Sequence, residues 1–474
     1  MSTVTSAAAT PAATTSGAEA GTTGSGTTGS GTTGSGPAVN WTEATKTVAT
    51  LALITCALPF NLALTAVALL RPPRRPVAGS ADTTTRTILI SGGKMTKALQ
   101  LARSFHAAGH RVILVESPPY RLTGHRFSRA VDRFYSVPRP DAPDYPAALL
   151  RIVQAEGVDV YVPVCSPVAS WHDARAKETL AGHCEVMHLE ADMVARLDDK
   201  YEFSVLAASV GLGVPDTHRI THPDQVAQFD FAGTDKRYIL KSIAYDSVRR
   251  MDLTRLPLAT PEETEAFVAR LPISEDSPWI LQEFIAGTEY CTHSTVRDGT
   301  VQVYCCCPSA ASLLNYRSVD NPEIEAWVRR FVGAFDLTGQ VSFDFLQDAA
   351  GRAYAIECNP RTHSAVTMLY NHPDVARAYL ERDVPVVRPL GTSRPTYWLY
   401  HELWKLIRHP STVVERVRII AQGKEAIFAW SDPLPFLMSY HLQIPSLLVQ
   451  NLRKRTGWVR IDFNIGKLVE PGGD

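Results

Sequence analysis

The chain has 474 residues, more than one hydrophobic core usually serves, so two or three domains are expected. Its 47 lysines and arginines balance 48 aspartates and glutamates, and the formal charge of −1 excludes a general nucleic-acid binder, which carries a large basic excess. The eight cysteines form no repeated C-x-x-C pair, which argues against a structural zinc site and suits reduced, buried thiols of a cytosolic domain.

The N-terminal stretch is dominated by Ala, Thr, Gly and Ser and carries the period-five repeat Gly-Thr-Thr-Gly-Ser from Gly21 to Ser35. Such a composition buries too little apolar surface to offset chain entropy, so residues 1–46 are expected to be a disordered tail. Thr47 to Leu70 has no formal charge and is rich in Leu, Ala, Ile and Val. As a helix it would span about 36 Å at about 1.5 Å per residue, enough for a bilayer core of roughly 30 Å. Arg71, Arg74 and Arg75 follow at once, and the positive-inside rule then keeps the C-terminal side in the cytoplasm. The expectation for 47–70 is a transmembrane or membrane-anchor helix, with an interfacial insertion kinked at Pro59 as the competing geometry.

A linker rich in Pro, Ala, Gly and Ser covers 71–84, after which strands and helices alternate. Thr87–Ser91, Arg111–Glu116 and Val158–Val164 read as strands and Lys97–Ala108 as a helix, a pattern that implies a parallel sheet with right-handed crossovers. The first turn, Ser91-Gly92-Gly93-Lys94, places two glycines and a lysine at a helix start, where free N–H groups favour an anion. Its spacing fits neither the dinucleotide fingerprint nor a P-loop. A substrate-facing turn and a purely structural tight turn both remain open. Cys165 and Ser166 follow a later strand, at the sheet edge where open α/β sheets bind ligands, or else form an ordinary loop.

From Leu197-Asp-Asp-Lys200 onward the pattern changes. A helix over Lys200–Val210 ends at Gly211, Tyr238–Lys241 is a strand, and the loop from Ser242 to Arg250 is cationic at its end. Trp279–Glu283 reads as a strand leaving through Phe284, Ile285 and Gly287 toward Glu289. Asp344 to Arg361 then reads as two antiparallel strands joined by a turn containing Asp348, Gly351 and Arg352. A strand reverses its side chains at every residue, so Glu357, Asn359 and Arg361 project together, with Asp344 across the hairpin. Two carboxylates and an amide oxygen suit Mg²⁺, and a neighbouring guanidinium suits a phosphoryl group in transfer. The competing reading is an edge hairpin with solvated charges. His293 and His363 read as structural rather than catalytic, because nothing in the sequence fixes an orienting partner.

Taken in order, these elements resemble the ATP-grasp superfamily over about residues 85 to 385. That resemblance implies a mixed α/β and α+β architecture: an N-terminal parallel-sheet domain (85–195), an ATP-grasp domain (196–385) and a mostly helical C-terminal extension (386–474), preceded by the tail and one hydrophobic anchor helix. It also implies ATP and Mg²⁺ as cofactors, with Mn²⁺ as a substitute. Lys200 and Lys241 would hold the triphosphate, Gln282 and the Glu283-Phe284-Ile285 backbone would meet adenine, and Glu289 would bind the ribose hydroxyls. Asp344, Glu357 and Asn359 would hold the metal, while Lys241 and Arg361 would act on the γ-phosphoryl group. The superfamily's glycine-rich lid is replaced by Ser242 to Arg250, which makes Ser242, Ser247, Arg249 and Arg250 its candidates.

More closely, the chain resembles the mycosporine-glycine synthases, on the runs Ser91–Gln100, Tyr161–Ser170, Lys241–Arg250, Cys291–Gly299 and Ile461–Glu470. This resemblance implies ATP-dependent joining of glycine to 4-deoxygadusol, with Gly92, Gly93, Lys94, Cys165 and Ser166 as substrate-facing candidates. Expected partners are those small molecules and a membrane, with no nucleic acid, and a homo-oligomer is left open. Two alternatives stand beside it: a carboxylate–amine ligase acting through an acyl phosphate, and a membrane-tethered nucleotide-binding module without catalysis.

Overall fold

Apolar, β-branched runs separated by amphipathic helices build a sheet whose every pairing is parallel. In the computed structural model, which describes residues 41–71, 84–164, 166–244, 249, 252–309 and 315–470, the chain begins with helix α1 (Trp41–Leu69). The first layer comprises β1 (Thr87–Ile90), α2 (Thr96–Ala107), β2 (Arg111–Glu116), β3 (Arg133–Ser136), α3 (Tyr145–Glu156), β4 (Val160–Val162), α4 (Ser170–Leu180), β5 (Glu185–Val186) and α5 (Ala191–Asp198). The strand order is β3-β2-β1-β4-β5, which puts the chain reversal between β1 and β4. Such a sheet needs both faces covered, and Ile88, Leu89, Ile90 and Val112 to Val115 are accordingly fully buried.

The second region opens with α6 (Lys200–Ser209), whose first turn is capped by Asp199 accepting from the backbone N–H groups of Tyr201 and Glu202. It continues through β6 (Thr217–Ile220), α7 (Asp224–Ala227), β7 (Tyr238–Ser242), α8 (Pro261–Val268) and β8 (Trp279–Glu283). The three strands form a small antiparallel sheet ordered β6-β8-β7 around Tyr238, Leu240, Trp279 and Leu281. Next come β9 (Thr288–Arg297), β10 (Thr300–Pro308), β11 (Asn315–Tyr316), α9 (Pro322–Ala334), β12 (Gly339–Gln347), β13 (Ala353–Asn359) and α10 (Val375–Leu380). Strands β10-β9-β12-β13 make an antiparallel sheet, and one face of it packs on α9 through Phe203, Trp327, Phe331, Phe343 and Phe345. The opposite face joins the core of the first layer at Cys291, Val303, Cys305 and Cys307, and its β12 and β13 part carries polar side chains.

The last part contains β14 (Thr396–Tyr397), α11 (Leu399–Arg408), α12 (Val413–Gln422), β15 (Lys424–Glu425), α13 (Leu434–Met438), α14 (Ile444–Lys454) and the hairpin β16 (Arg460–Asp462) with β17 (Lys467–Val469). Gln443 ties it to the first layer, accepting from the Gly124 N–H at 2.8 Å and donating to the Gly466 carbonyl at 2.8 Å. Pro433 to Leu452 is folded into this packing, with Pro435, Phe436, Tyr440, Ile444 and Leu448 all buried. Among the described residues α1 alone is long and apolar enough to cross a membrane, with mean hydropathy 2.0 over its best window.

Helix α1 starts at Trp41 rather than Thr47, so residues 41–46, expected in the tail, are helical. Their anchor lies far away in sequence: Lys46 donates to the Trp458 carbonyl, and Trp458 Nε1 donates to Thr47 Oγ1 at 2.9 Å. Residues 1–40 and most of the linker lie outside the described residues. Pro59 sits inside a helix that is continuous from Trp41 to Leu69.

Candidate active site

The register of β12 and β13 brings two acids face to face. Asp344 pairs with Glu357 and Ser342 with Asn359; alternation along β12 sends Phe343 and Phe345 into the core and Asp344 to the other face, and a bulge leaves Ile356 of β13 as the extra residue beside the acids. Cys358 points into the aromatic layer, as alternation requires. On the polar face Asn359 Nδ2 donates to Asp344 Oδ2 at 3.1 Å, and Arg361 donates to Asn359 Oδ1. The Arg361 guanidinium also lies 3.5 Å from Asp198, the residue at the end of α5. Glu289 of β9, which pairs with Leu346 of β12, accepts from Ser309 Oγ at 2.8 Å.

Two lysines approach from the small sheet and α6. Lys200 Nζ lies 3.9 Å from Glu357 and donates to the Ile243 carbonyl at 3.2 Å, so one ammonium joins β13 to the segment leaving β7. Lys241 Nζ donates to Gln282 Oε1 at 3.0 Å. Loss of hydration pushes the Lys241 ammonium below its usual range, against the pull of Glu357, with Lys200 adding to the lowering. Asp344 moves the other way. Loss of hydration, then repulsion from Glu357 and Glu289, push its carboxyl up to about 7, despite Arg361 and Asn359. Four acids, two lysines, two amides and a guanidinium thus converge between two antiparallel sheets.

The donor set fits a divalent cation. A carboxyl held near neutrality by facing carboxylates is a group short of positive charge, and a hard cation among Asp344, Glu357 and the Asn359 oxygen would supply it. Among the described residues no cluster of three or more His, Cys, Asp or Glu side chains has metal-site geometry. The third oxygen here belongs to an amide, which leaves ligand positions for phosphate or water.

The turn that presents Arg361 is held from several directions. Lys97 Nζ donates to the Thr362 carbonyl at 2.5 Å and Ser170 Oγ to the Pro360 carbonyl at 2.7 Å, while Thr362 Oγ1 donates to Gln340 Oε1 at 2.7 Å. No local pattern signals these clamps, since Lys97 and Ser170 sit on first-layer helices far away in the chain. Asp198 was visible within the Asp-Asp-Lys run, but without a role.

Other expected residues are occupied elsewhere. Of the three amides expected to meet adenine, Glu283 N–H donates to the Asp216 carbonyl and Phe284 N–H to the Arg237 carbonyl, both at 2.7 Å. Ile285 N–H is the one left without a partner among the described residues. The Glu283 carboxylate pairs with Lys236 at 3.0 Å. In the glycine turn, Lys94 is spent on Glu116 at 3.5 Å and on the face of Tyr120, so it acts as a structural cation. Gly92 has φ +66° and sits where a Cβ would lie 2.0 Å from the Val164 carbonyl oxygen, which makes this a close-packed crossing of β1 and the end of β4. Ser166 Oγ accepts from the Ala169 N–H at 3.3 Å, ahead of α4. Ser242 ends β7 and Arg249 is exposed, whereas Cys165, Ser247 and Arg250 lie outside the described residues.

No protein-family model and no curated protein sequence matches the chain. Solved structures do. An N5-carboxyaminoimidazole ribonucleotide synthetase, PurK, in its ADP complex shares 14% identity, with 72% of this chain and 87% of that one covered at a TM-score of 0.50. The Staphylococcus aureus N5-carboxyaminoimidazole synthetase with ADP shares 15% identity over 68% and 82% of the two chains, at 0.49. The carboxyaminoimidazole ribonucleotide synthase of Aspergillus clavatus with ATP shares 14% over 66% and 80%, at 0.48. The first of these likenesses shows the fold, and the chain has the ATP-grasp fold.

Proposed function

We propose that the protein is an ATP-dependent C–N bond-forming ligase that activates the enol oxygen of 4-deoxygadusol and condenses it with glycine to give mycosporine-glycine, releasing ADP and phosphate. The convergence of Lys200, Lys241, Glu289, Asp344, Glu357, Asn359 and Arg361 on one sheet face of an ATP-grasp fold carries the ligase reading. The substrate pair rests on the resemblance of the five sequence runs to the mycosporine-glycine synthases. In this reading α1 fixes the enzyme to a membrane, with the catalytic region in the cytoplasm.

Lys200 and Lys241 hold the triphosphate as point charges, the Ile285 N–H meets adenine, and Glu289 accepts from the ribose hydroxyls. Asp344, Glu357 and Asn359 would hold Mg²⁺, which when bound would neutralise phosphate charge. The enolate oxygen attacks the γ-phosphorus and the bond to ADP breaks; Lys241 and Arg361 stabilise the charge on the transferring group. The glycine amine then adds to the phosphorylated carbon, the C–O bond to phosphate breaks, and the nitrogen loses a proton to give the enaminone. The acceptor enol is acidic, so the step needs no strong protein base.

The test is mass spectrometry of the product after incubating the protein with ATP, Mg²⁺, 4-deoxygadusol and a panel of amines. The expected product is the glycine adduct, with one ADP released per adduct. ADP release that requires a carboxylic acid in place of the enol would replace this acceptor.

A further inference from the structure

Three helices of this protein are amphipathic in the reverse sense. A surface helix of a water-soluble protein turns its apolar stripe inward and its polar residues outward. On α1 the buried positions include Thr47, Asn61 and Thr65 beside Ile54 and Ala68, while Val48, Leu53, Phe60, Leu62, Val67 and Leu69 are exposed, Phe60 by 77%. Asn61 Nδ2 donates inward to Tyr400 OH at 2.6 Å and lies 2.7 Å from His441 Nε2. Helices α11 and α12 repeat the arrangement: Glu402 and Arg416 are buried against each other at 3.1 Å, while Leu403, Trp404, Ile407, Val413, Val414 and Val417 face out. Tyr400, the partner of Asn61, belongs to α11, so the two surfaces adjoin.

Resting on the membrane reading above, we infer that α1 lies in the plane of a single anionic leaflet and that α11 and α12 enter the same leaflet beside it, as one monotopic platform. Helix α1 is bound to the fold along its whole length. Lys46 and Thr47 meet Trp458, Ile54 packs on Ile444 and Leu448, Asn61 meets Tyr400, and Arg71 stacks on Trp430 at 3.9 Å. A helix fastened at both ends and at its centre cannot also cross a bilayer. Three of its hydroxyls need no water: Thr47, Thr50 and Thr55 donate to the carbonyls of Glu43, Lys46 and Leu51 at 2.8 to 2.9 Å. The surround is cationic and aromatic, with Arg71 on Trp430, Arg408 beside Trp404 and Arg418 exposed, the composition of an interfacial anchor on acidic lipid. A second copy of the chain would bring these like charges together, which favours lipid as the occupant.

The experiment is flotation of the full-length protein with phosphatidylcholine vesicles, with and without phosphatidylglycerol, together with protease accessibility of a tag at Met1. Wild type is expected to float with the acidic vesicles, with its tag cleaved from outside. Phe60→Glu and the pair Trp404→Ala/Ile407→Glu should each lower the bound fraction by about tenfold, in line with the loss of one or two buried apolar anchors. These positions are exposed, and retained ATP binding verifies that each variant is folded. Failure of wild type to bind either vesicle overturns both the platform and the membrane reading. Tight binding with the tag protected in the lumen and no effect of the α11 pair overturns the platform and leaves a spanning anchor. Loss of a soluble oligomer in the variants, without vesicle binding by wild type, assigns the face to a second copy and overturns the proposal.

Discussion

The polar face of the β10-β9-β12-β13 sheet and the outward face of α1 with α11 are opposite in chemistry and alike in what they leave unfinished. On the sheet, Asp344, Glu357 and Glu289 crowd carboxylates together until Asp344 is held near neutrality. On the helices, apolar side chains stand in solvent while Asn61 and the Glu402–Arg416 pair occupy the interior. Neither arrangement serves the stability of the isolated chain. Local rules of folding are broken at both places, and in the proposed readings a ligand would complete each environment: a cation and phosphates at one, acyl chains at the other.

The sharpest way to break the comparison is at the sheet. Arg361→Ala or Glu357→Ala should lower turnover, read as ADP release, by a factor on the order of 10² or more, because each removes charge stabilisation made during transfer. Near wild-type turnover in both would mean that the acids and the guanidinium are only a solvated hairpin. Next comes Asp344→Asn. A carboxyl whose pKa is raised in the fold stabilises it fully below the unfolded value, roughly 3.9, and loses that contribution as pH climbs through about 7. The metal-free parent should therefore become less stable between about pH 4 and about pH 7, a decline that Asp344→Asn reduces in thermal melts. Added Mg²⁺ should raise the melting temperature of the parent more at the alkaline end, since metal competes with the proton. An unchanged pH slope in the variant would show that Asp344 is not the strained group.

The helical face gives smaller effects. Asn61→Leu leaves Tyr400 OH and His441 without their partner and should cost about 1–3 kcal/mol in denaturant unfolding. Its sequence neighbour points the other way, and Phe60→Ala should change stability by no more than about 0.5 kcal/mol. Equal effects at the two positions would mean that α1 is not fastened by its polar side.

Much of the candidate site was legible because its residues are close in sequence or sit on strands with period-two alternation. Asp344, Glu357 and Asn359 meet as the hairpin pattern predicts, and Lys200 and Lys241 lie at a helix start and a strand end where short motifs show through. The strip expected to meet adenine was legible as a strand end, not in its hydrogen bonding. Glu283 and Phe284 have the expected places, but their N–H groups go to Asp216 and Arg237, carbonyls that no local pattern names. Lys94 shows the same limit of local reading, since a glycine-lysine turn looks alike whatever its cation meets, and here it meets Glu116 and Tyr120.

The sequence by itself determined the parallel first layer, the acidic hairpin and a long apolar segment near the N-terminus, because each is set by periodicity and composition within a short window. Tertiary structure alone decided which way those groups point. The clamps of Lys97 and Ser170 on the turn of Arg361, and the anchoring of Asn61 by Tyr400 and His441, join residues hundreds of positions apart. Such contacts depend on the whole chain closing on itself, which no local window encodes.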